Sequence, residues 1–271
     1  MLKNTYLEEK LIYKGPMSNV FKYYNKIKNE SNAIKIFDKS HRKDFETEIN
    51  TLKLFSENRK NINYFLEYFN IDDKYYIVYP YYEMTLQQFI THNKLKMKAL
   101  KYIFYELIQP LKYIHNILDS YHGDIKSDNV LVSSDLSNIK LIDFGSVSKN
   151  NTCHSKWFGT KIFTAPEVLL LTDNITSKCD IWSFGCLIYE LITCDLLLSA
   201  KNDDILVNKK HLHKGNSNSN INETIYNRIK KHNNDINVLN INIINIISLC
   251  IKINPSERPT IDELEEKILM L

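Results

Sequence analysis

One short run concentrates reactive groups: His122-Gly123-Asp124-Ile125-Lys126-Ser127-Asp128-Asn129, followed downstream by Asp143-Phe144-Gly145. It sets a carboxylate, an ammonium, an amide and a second carboxylate at fixed offsets. Phosphoryl transfer from a nucleotide calls for that combination. A base must accept a hydroxyl proton, a cation must face the transferred phosphoryl group, and hard oxygen ligands must hold Mg²⁺. A His-Gly-Asp triplet alone carries little information. The full spacing through Asn129 to Asp143 is hard to account for by a structural role.

The elements around this run must hold it in place. Val130-Leu131-Val132 and Ile139-Lys140-Leu141-Ile142 read as short strands flanking a Ser/Asp/Asn turn, so the chemistry sits on a β-hairpin between a helix and a loop. Upstream, Ala99, Ile103, Leu107, Leu111, Ile114 and Leu118 recur at helical spacing, and Pro110 within that run predicts a bent helix. Residues 1 to about 80 are β-rich. Ile12 to Tyr24 reads as two strands around Gly15-Pro16, Ala33 to Phe37 as a third, and Tyr64 to Phe69 and Tyr75 to Tyr79 as two more, turning at Asp72-Asp73. Phe45, Ile49, Leu52 and Phe55 mark one face of a helix. One helix on a five-stranded antiparallel sheet is the natural assembly.

Downstream, Ile181 to Leu191 is apolar enough for a buried helix. Residues 199–223 are polar, with Gly215-Asn216-Ser217-Asn218, and read as a surface insertion. Helices resume near Thr224, and the last runs from Thr260 to Leu271. The expected fold is α+β: a small N-terminal lobe, residues 1–82, with an antiparallel sheet and one main helix, and a larger, mainly helical C-terminal lobe, residues 83–271.

Bulk properties exclude several classes. The 271 residues fit one large or two closely packed domains, and 44% hydrophobic with 25% charged residues is ordinary for a globular protein. A formal charge of +3, without a basic stripe interleaved with aromatics, argues against a nucleic-acid partner. The five cysteines are odd in number and form no Cys-x-x-Cys pair, which fits a reducing compartment better than a disulfide framework or a zinc site. The N-terminus lacks the apolar core of a signal peptide, and no apolar stretch reaches the ~18 residues of a membrane span. The expectation is an intracellular monomer, cytoplasmic or nuclear, with no membrane partner.

Read together, the motifs resemble those of eukaryotic-type serine/threonine protein kinases over nearly the whole chain. The bilobal kinase fold is what that resemblance implies. The family's glycine-rich loop corresponds to Tyr13-Lys14-Gly15-Pro16-Met17-Ser18-Asn19-Val20, in which only the middle glycine survives and Pro16 has lost its amide donor. Ala33-Ile34-Lys35 matches the strand whose lysine reaches the α- and β-phosphates, with Ala33 and Lys35 on one face. Glu48, on the inward side of the following helix, is the expected partner of Lys35, and Glu46 the competing one. Tyr79 is expected to guard the rear of the adenine pocket, and the backbone of Pro80 and Tyr82 to meet the adenine edge. The resemblance thus places Ile12, Tyr13, Gly15, Ser18, Val20, Ala33, Lys35, Tyr79, Pro80, Tyr82 and Leu131 around ATP. It makes Asp124 the base, Lys126 the group that neutralises the γ-phosphate, and Asn129 and Asp143 the Mg²⁺ ligands.

Small-molecule kinases of the aminoglycoside and choline type share His-Gly-Asp with an Asn five residues after the Asp. Three later segments point instead to protein substrates. Phe158 to Glu167, containing Thr160, resembles the segment that receives a peptide. Asp180-Ile181-Trp182-Ser183-Phe184-Gly185 resembles the buried helix whose Asp braces the catalytic loop, and Arg258 is expected to pair with Glu167. Lys126 and Thr160 favour a Ser/Thr acceptor. Gly123 stands where most relatives carry the arginine that reads an activation-loop phosphate, which implies activity without that phosphorylation. The alternative suggested by the poor glycine loop is a kinase-like binding module without catalysis, since a similar His-Gly-Asp-Ile-Lys run occurs in the kinase-like regulatory subunit of a phosphoinositide 3-kinase complex.

Overall fold

A computed structural model describes residues 5–55, 60–152, 159–198, 221–232 and 241–271. The chain divides into two compact units, Met1–Glu83 with Lys140–Gly145, and Met84–Ile139 with Ser146–Leu271.

The first unit is built on strands β1 (Tyr6–Lys14), β2 (Ser18–Asn25) and β3 (Glu30–Asp38), helix α1 (Arg42–Leu54), and strands β4 (Glu67–Ile71) and β5 (Lys74–Pro80). The sheet order is β1-β2-β3-β5-β4, and every neighbouring pair is antiparallel. Alternation sorts the two faces. Ile34 and Val78 point into a cluster with Tyr6, Tyr23 and Tyr76, so Ala33, Lys35 and Phe37 point the other way. On that side Phe37 meets Phe45 of α1 edge-on, with ring centroids 6.0 Å apart. Asp72 and Asp73 take φ of 48° and 61°, the two left-handed residues that a tight hairpin between β4 and β5 requires. β1 begins at Tyr6, not Ile12. β4 begins at Glu67, not Tyr64, because the segment before it makes a different ladder: Asn63 N–H donates to the Leu141 carbonyl at 3.1 Å and Leu141 N–H to that of Asn61 at 2.8 Å. That ladder ties residues 140–145 to this unit.

In the second unit, β6 (Met84–Thr85) leads into α2 (Leu86–His92), whose start is fixed by a reciprocal cap between Thr85 and Gln88. Helix α3 (Met97–Lys112) runs through Pro110 without ending there, and then widens into a π-turn at Tyr113–Ile117, closed by Leu118 N–H on the Tyr113 carbonyl at 3.0 Å. Strands β7 (Ser120–Tyr121) and β8 (Val130–Val132) bracket the reactive run, and β9 (Ile139–Leu141) follows a turn in which Ser133 N–H donates to the Asn138 carbonyl. After β10 (Ser148–Lys149) come α4 (Pro166–Leu169), α5 (Lys178–Thr193), α6 (Ile221–His232), α7 (Ile241–Cys250) and α8 (Ile261–Leu269).

Helix α5 is buried on all sides, from Cys179 to Thr193, as its apolar sequence demands. Gly185 lets α7 approach it: a Cβ there would lie 2.6 Å from that of Cys250. Most of the polar insertion expected at 199–223 falls outside the described residues, but Glu223 lies within the first turn of α6. Thr260 caps α8 through Glu263 instead of starting it. Among the described residues, no helix is long and apolar enough to cross a membrane.

Candidate functional site

In the first unit the chemistry gathers at Lys35. Its Nζ lies 2.6 Å from Glu48 Oε2 and 3.1 Å from Asp143 Oδ1. Register explains the first contact: Lys35 sits on β3 opposite Ile77, on the face that α1 covers, and Glu48 faces inward at 3% exposure. Glu46 is not the partner; it pairs with Arg42 Nε at 2.7 Å on the outer face of α1. Burial alone would lower the pKa of the Lys35 ammonium, but the Asp143 and Glu48 carboxylates outweigh it and hold the group above its ordinary value. Lys35 is therefore a fixed cation. Phe144 anchors the segment behind Asp143 by packing on Phe55, with centroids 5.1 Å apart.

Tyr79 adds a contact that motif reading missed. Its hydroxyl donates to Glu48 Oε1 at 2.6 Å. Ala33 is paired with Tyr79 across β3 and β5, a register that the spacing of the two strands could have suggested. Pro80 ends β5, and Tyr82 beyond it is half-buried. Ile12 and Tyr13 on β1 are exposed, Tyr13 pairs with Val20, and the turn between them is closed by Gly15 N–H on the Ser18 carbonyl at 3.0 Å. The loop is a tight hairpin whose one remaining glycine amide is spent on the first residue of β2.

In the second unit Asp124 is held by three donors. Thr160 Oγ1 donates to Oδ1 at 3.0 Å, Asn129 Nδ2 to Oδ2 at 2.8 Å, and Lys126 Nζ lies 2.9 Å from Oδ2. Lys126 Nζ also donates to Thr160 Oγ1 at 2.6 Å, which closes the set into a ring. With its amide nitrogen on Asp124, Asn129 keeps its carbonyl oxygen for another partner. That oxygen is a hard donor of the kind Mg²⁺ takes and, in the first unit, so is the Asp143 carboxylate. Leu131 lies on β8, paired with Thr85.

Behind the loop, Asp180 at the start of α5 is fully buried. It accepts from the backbone N–H of His122 at 2.7 Å and of Gly123 at 2.9 Å, and His115 Nε2 lies 2.8 Å from it. Burial pushes its pKa up, but the His115 bond, with the positive field of His115 and His122, brings it below the usual carboxylate range. Gly123 takes φ 86°, which glycine adopts at least cost. A second brace joins α4 to the chain before α8. Arg258 is 2% exposed and places its two terminal nitrogens on Glu167, at 2.6 and 2.8 Å. Its other N–H groups reach the carbonyls of Lys252, Lys178 and Ile253. His115 and the Ser127–Glu190 hydrogen bond of 2.8 Å were not foreseen; His115 and Glu190 look like ordinary helix positions.

Comparison with known proteins agrees with this geometry. The description "Protein kinase domain" matches residues 6–270. Over 118 residues the chain is 36% identical to a probable CTD kinase subunit alpha homolog of Encephalitozoon cuniculi, covering 43% of this chain and 35% of that protein. It is 31% identical over 133 residues to mitogen-activated protein kinase 12 of Mus musculus, covering 48% of this chain and 36% of the relative. It is 30% identical over 175 residues to the serine/threonine-protein kinase RIM11/MSD1 of Saccharomyces cerevisiae, covering 60% and 47%. The matches thus span from about a third to about half of these relatives' lengths. Because the family match takes in both compact units from residue 6 to residue 270, the chain belongs to the protein kinase domain family.

Proposed function

We propose that this chain transfers the γ-phosphate of ATP to Ser/Thr hydroxyls of a protein substrate. The observation that carries the reading is the closed ring of Asp124, Lys126 and Thr160, with Asn129 bonded to Asp124. It orients a carboxylate beside an ammonium, with the Asn129 amide donating to both the backbone carbonyl and the side chain of Asp124. ATP supplies the phosphoryl group, and Mg²⁺, when bound, neutralises charge on its phosphate oxygens.

The chain's own residues do the rest. Asp124 orients the acceptor hydroxyl and takes its proton. Lys126 offsets negative charge at the γ-phosphate. Lys35, fixed by Glu48, holds the α- and β-phosphates, while Asn129 and Asp143 would hold the metal through oxygen. Ala33, Val20, Ile12 and Leu131 border the adenine, with Tyr79 behind it and the backbone of Pro80 and Tyr82 at its edge. Tyr13, Gly15 and Ser18 form the turn over the phosphates. The buried thiols of Cys179, Cys186 and Cys250 suit the reducing interior of a cell.

The test is transfer of labelled γ-phosphate to a degenerate Ser/Thr peptide library with Mg²⁺. Asp124→Ala should cut turnover by about 10²–10⁴, and Lys35→Met should do so by misplacing the nucleotide. Equal phosphorylation by wild type and Asp124→Ala would refute the assignment.

A further inference from the structure

The buried carboxylate of Glu48 has two oxygens, and the Lys35 pair uses only Oε2, at 2.6 Å. The other oxygen is met by a phenol: Tyr79 Oη donates to Glu48 Oε1 at 2.6 Å. Both residues are buried, Glu48 at 3% exposure and Tyr79 at 8%. Burial first, and the Glu48 charge second, push the phenol of Tyr79 well above its ordinary pKa, so it is a neutral donor. A hydrogen bond to an ionised carboxylate at this length is of the strong, charge-assisted kind. A buried oxygen left without its donor carries the full desolvation penalty.

The contact also has a mechanical consequence. Glu48 comes from α1, Lys35 from β3 and Tyr79 from β5, so the carboxylate is gripped from two strands at once, Ala33 and Tyr79 being direct partners between them. With Lys35 alone, the carboxylate could rotate about its last bond and still keep one contact. With Tyr79 on Oε1 the rotation is blocked, and Oε2 is aimed at Nζ.

We propose that Tyr79 is a positioning residue for phosphoryl transfer, whose hydroxyl locks the Glu48 carboxylate so that Glu48 can hold Lys35. The proposal rests on the kinase reading of Lys35 and assigns to Tyr79 more than lining the nucleotide pocket.

Tyr79→Phe removes one oxygen and keeps the ring, so the sheet packing survives; an unchanged melting temperature within a few degrees checks this. Two measurements follow. In the absence of nucleotide, the rate at which an amine-reactive acylating reagent modifies Lys35, read by peptide mass spectrometry, should rise at least about fivefold in Tyr79→Phe. In the transfer assay kcat should fall about tenfold, with KM for the peptide unchanged. In a Glu48→Ala background the same Tyr79→Phe change should alter either quantity by less than about twofold, because its effect runs through Glu48. Unchanged Lys35 labelling in Tyr79→Phe overturns the proposal, as does a full tenfold kcat loss that persists in the Glu48→Ala background. If the wild type itself transferred no phosphate, the kinase reading would fall, and the labelling ratio would still decide the role of Tyr79.

Discussion

Glu190 sits near the C-terminal end of α5 at 6% exposure, where a carboxylate is expensive. Ser127 Oγ donates to its Oε1 at 2.8 Å, while Oε2 meets no hydrogen-bond donor among the described residues. Burial dominates, the Ser127 bond works against it and the nearby Asp128 charge adds to it, so the carboxyl is pushed up from 4.5 to about 7. The folded chain therefore keeps a proton that the unfolded chain releases between pH 4.5 and about 7. Where the folded state binds more protons, stability falls as pH rises. The contribution is complete below pH 4.5 and gone above about 7, and at about 1.4 kcal/mol per pH unit it amounts to about 3 kcal/mol. Glu190→Gln keeps the shape and removes the titration. Urea unfolding followed by tryptophan fluorescence, between about pH 5 and about pH 8.5, should show the variant gaining on the wild type by about 3 kcal/mol as pH rises across that range. Ser127→Ala, which deletes the bond that favours the charged form, should move the loss to higher pH. A wild-type minus Glu190→Gln difference that stays flat with pH would refute the reasoning.

Three further outcomes are expected. Glu167→Ala strands the buried Arg258 guanidinium and should cost about 3–5 kcal/mol in urea unfolding, whereas adding Arg258→Met should recover part of that loss. Gly159 has φ 79°, and a Cβ there would lie 2.5 Å from the Gly123 carbonyl; Gly159→Ala should lower kcat/KM for peptide by more than about tenfold while shifting the melting temperature only a few degrees, since the strain lands on the residue before Asp124. With glycine at 123, phosphatase-treated protein should keep its transfer activity; protein that became inert and recovered on rephosphorylation of Ser146, Ser148, Thr152 or Ser155 would overturn that expectation.

The parts of this fold legible in sequence are those with a strict local period or a unique chemical pattern. The Asp72-Asp73 turn, the inward stripe of α1 and the apolar α5 each follow from nearest-neighbour geometry. Glu48 could be chosen over Glu46 because three- and four-residue offsets from Phe45 and Leu52 fix a helix face. What remained hidden was set by long-range pairing. The late start of β4 follows from the Asn61–Leu141 ladder, a contact between segments far apart in the chain. His115 on Asp180, Ser127 on Glu190 and Tyr79 on Glu48 are likewise side chains brought together by tertiary packing, and no spacing rule links their positions. The glycine loop shows the reverse case: its motif was degraded, yet the hairpin that the sequence still encodes forms from the Tyr13–Val20 pair and one closing hydrogen bond.

Left-handed backbone angles, found in several turns of the chain, also fall at the two key carboxylates. Left-handed φ at a non-glycine residue costs about 1–2 kcal/mol, and Asp143 adopts it at φ 63° although Gly145 stands two residues later with no such angle. A chain optimised only for stability would put the glycine at the strained position. Here the strained residue is the one whose carboxylate meets Lys35 at 3.1 Å, and the packing of Phe144 on Phe55 holds the turn that aims it. Asp124 is arranged differently: the left-handed angle falls on Gly123 before it, and Asp180 grips that peptide from below. Both carboxylates are thus directed by a left-handed residue at or just before them. The strain is tolerated because side chains on either side over-determine the local geometry, and relaxing it by substitution at 143 would remove the carboxylate that gives the turn its purpose.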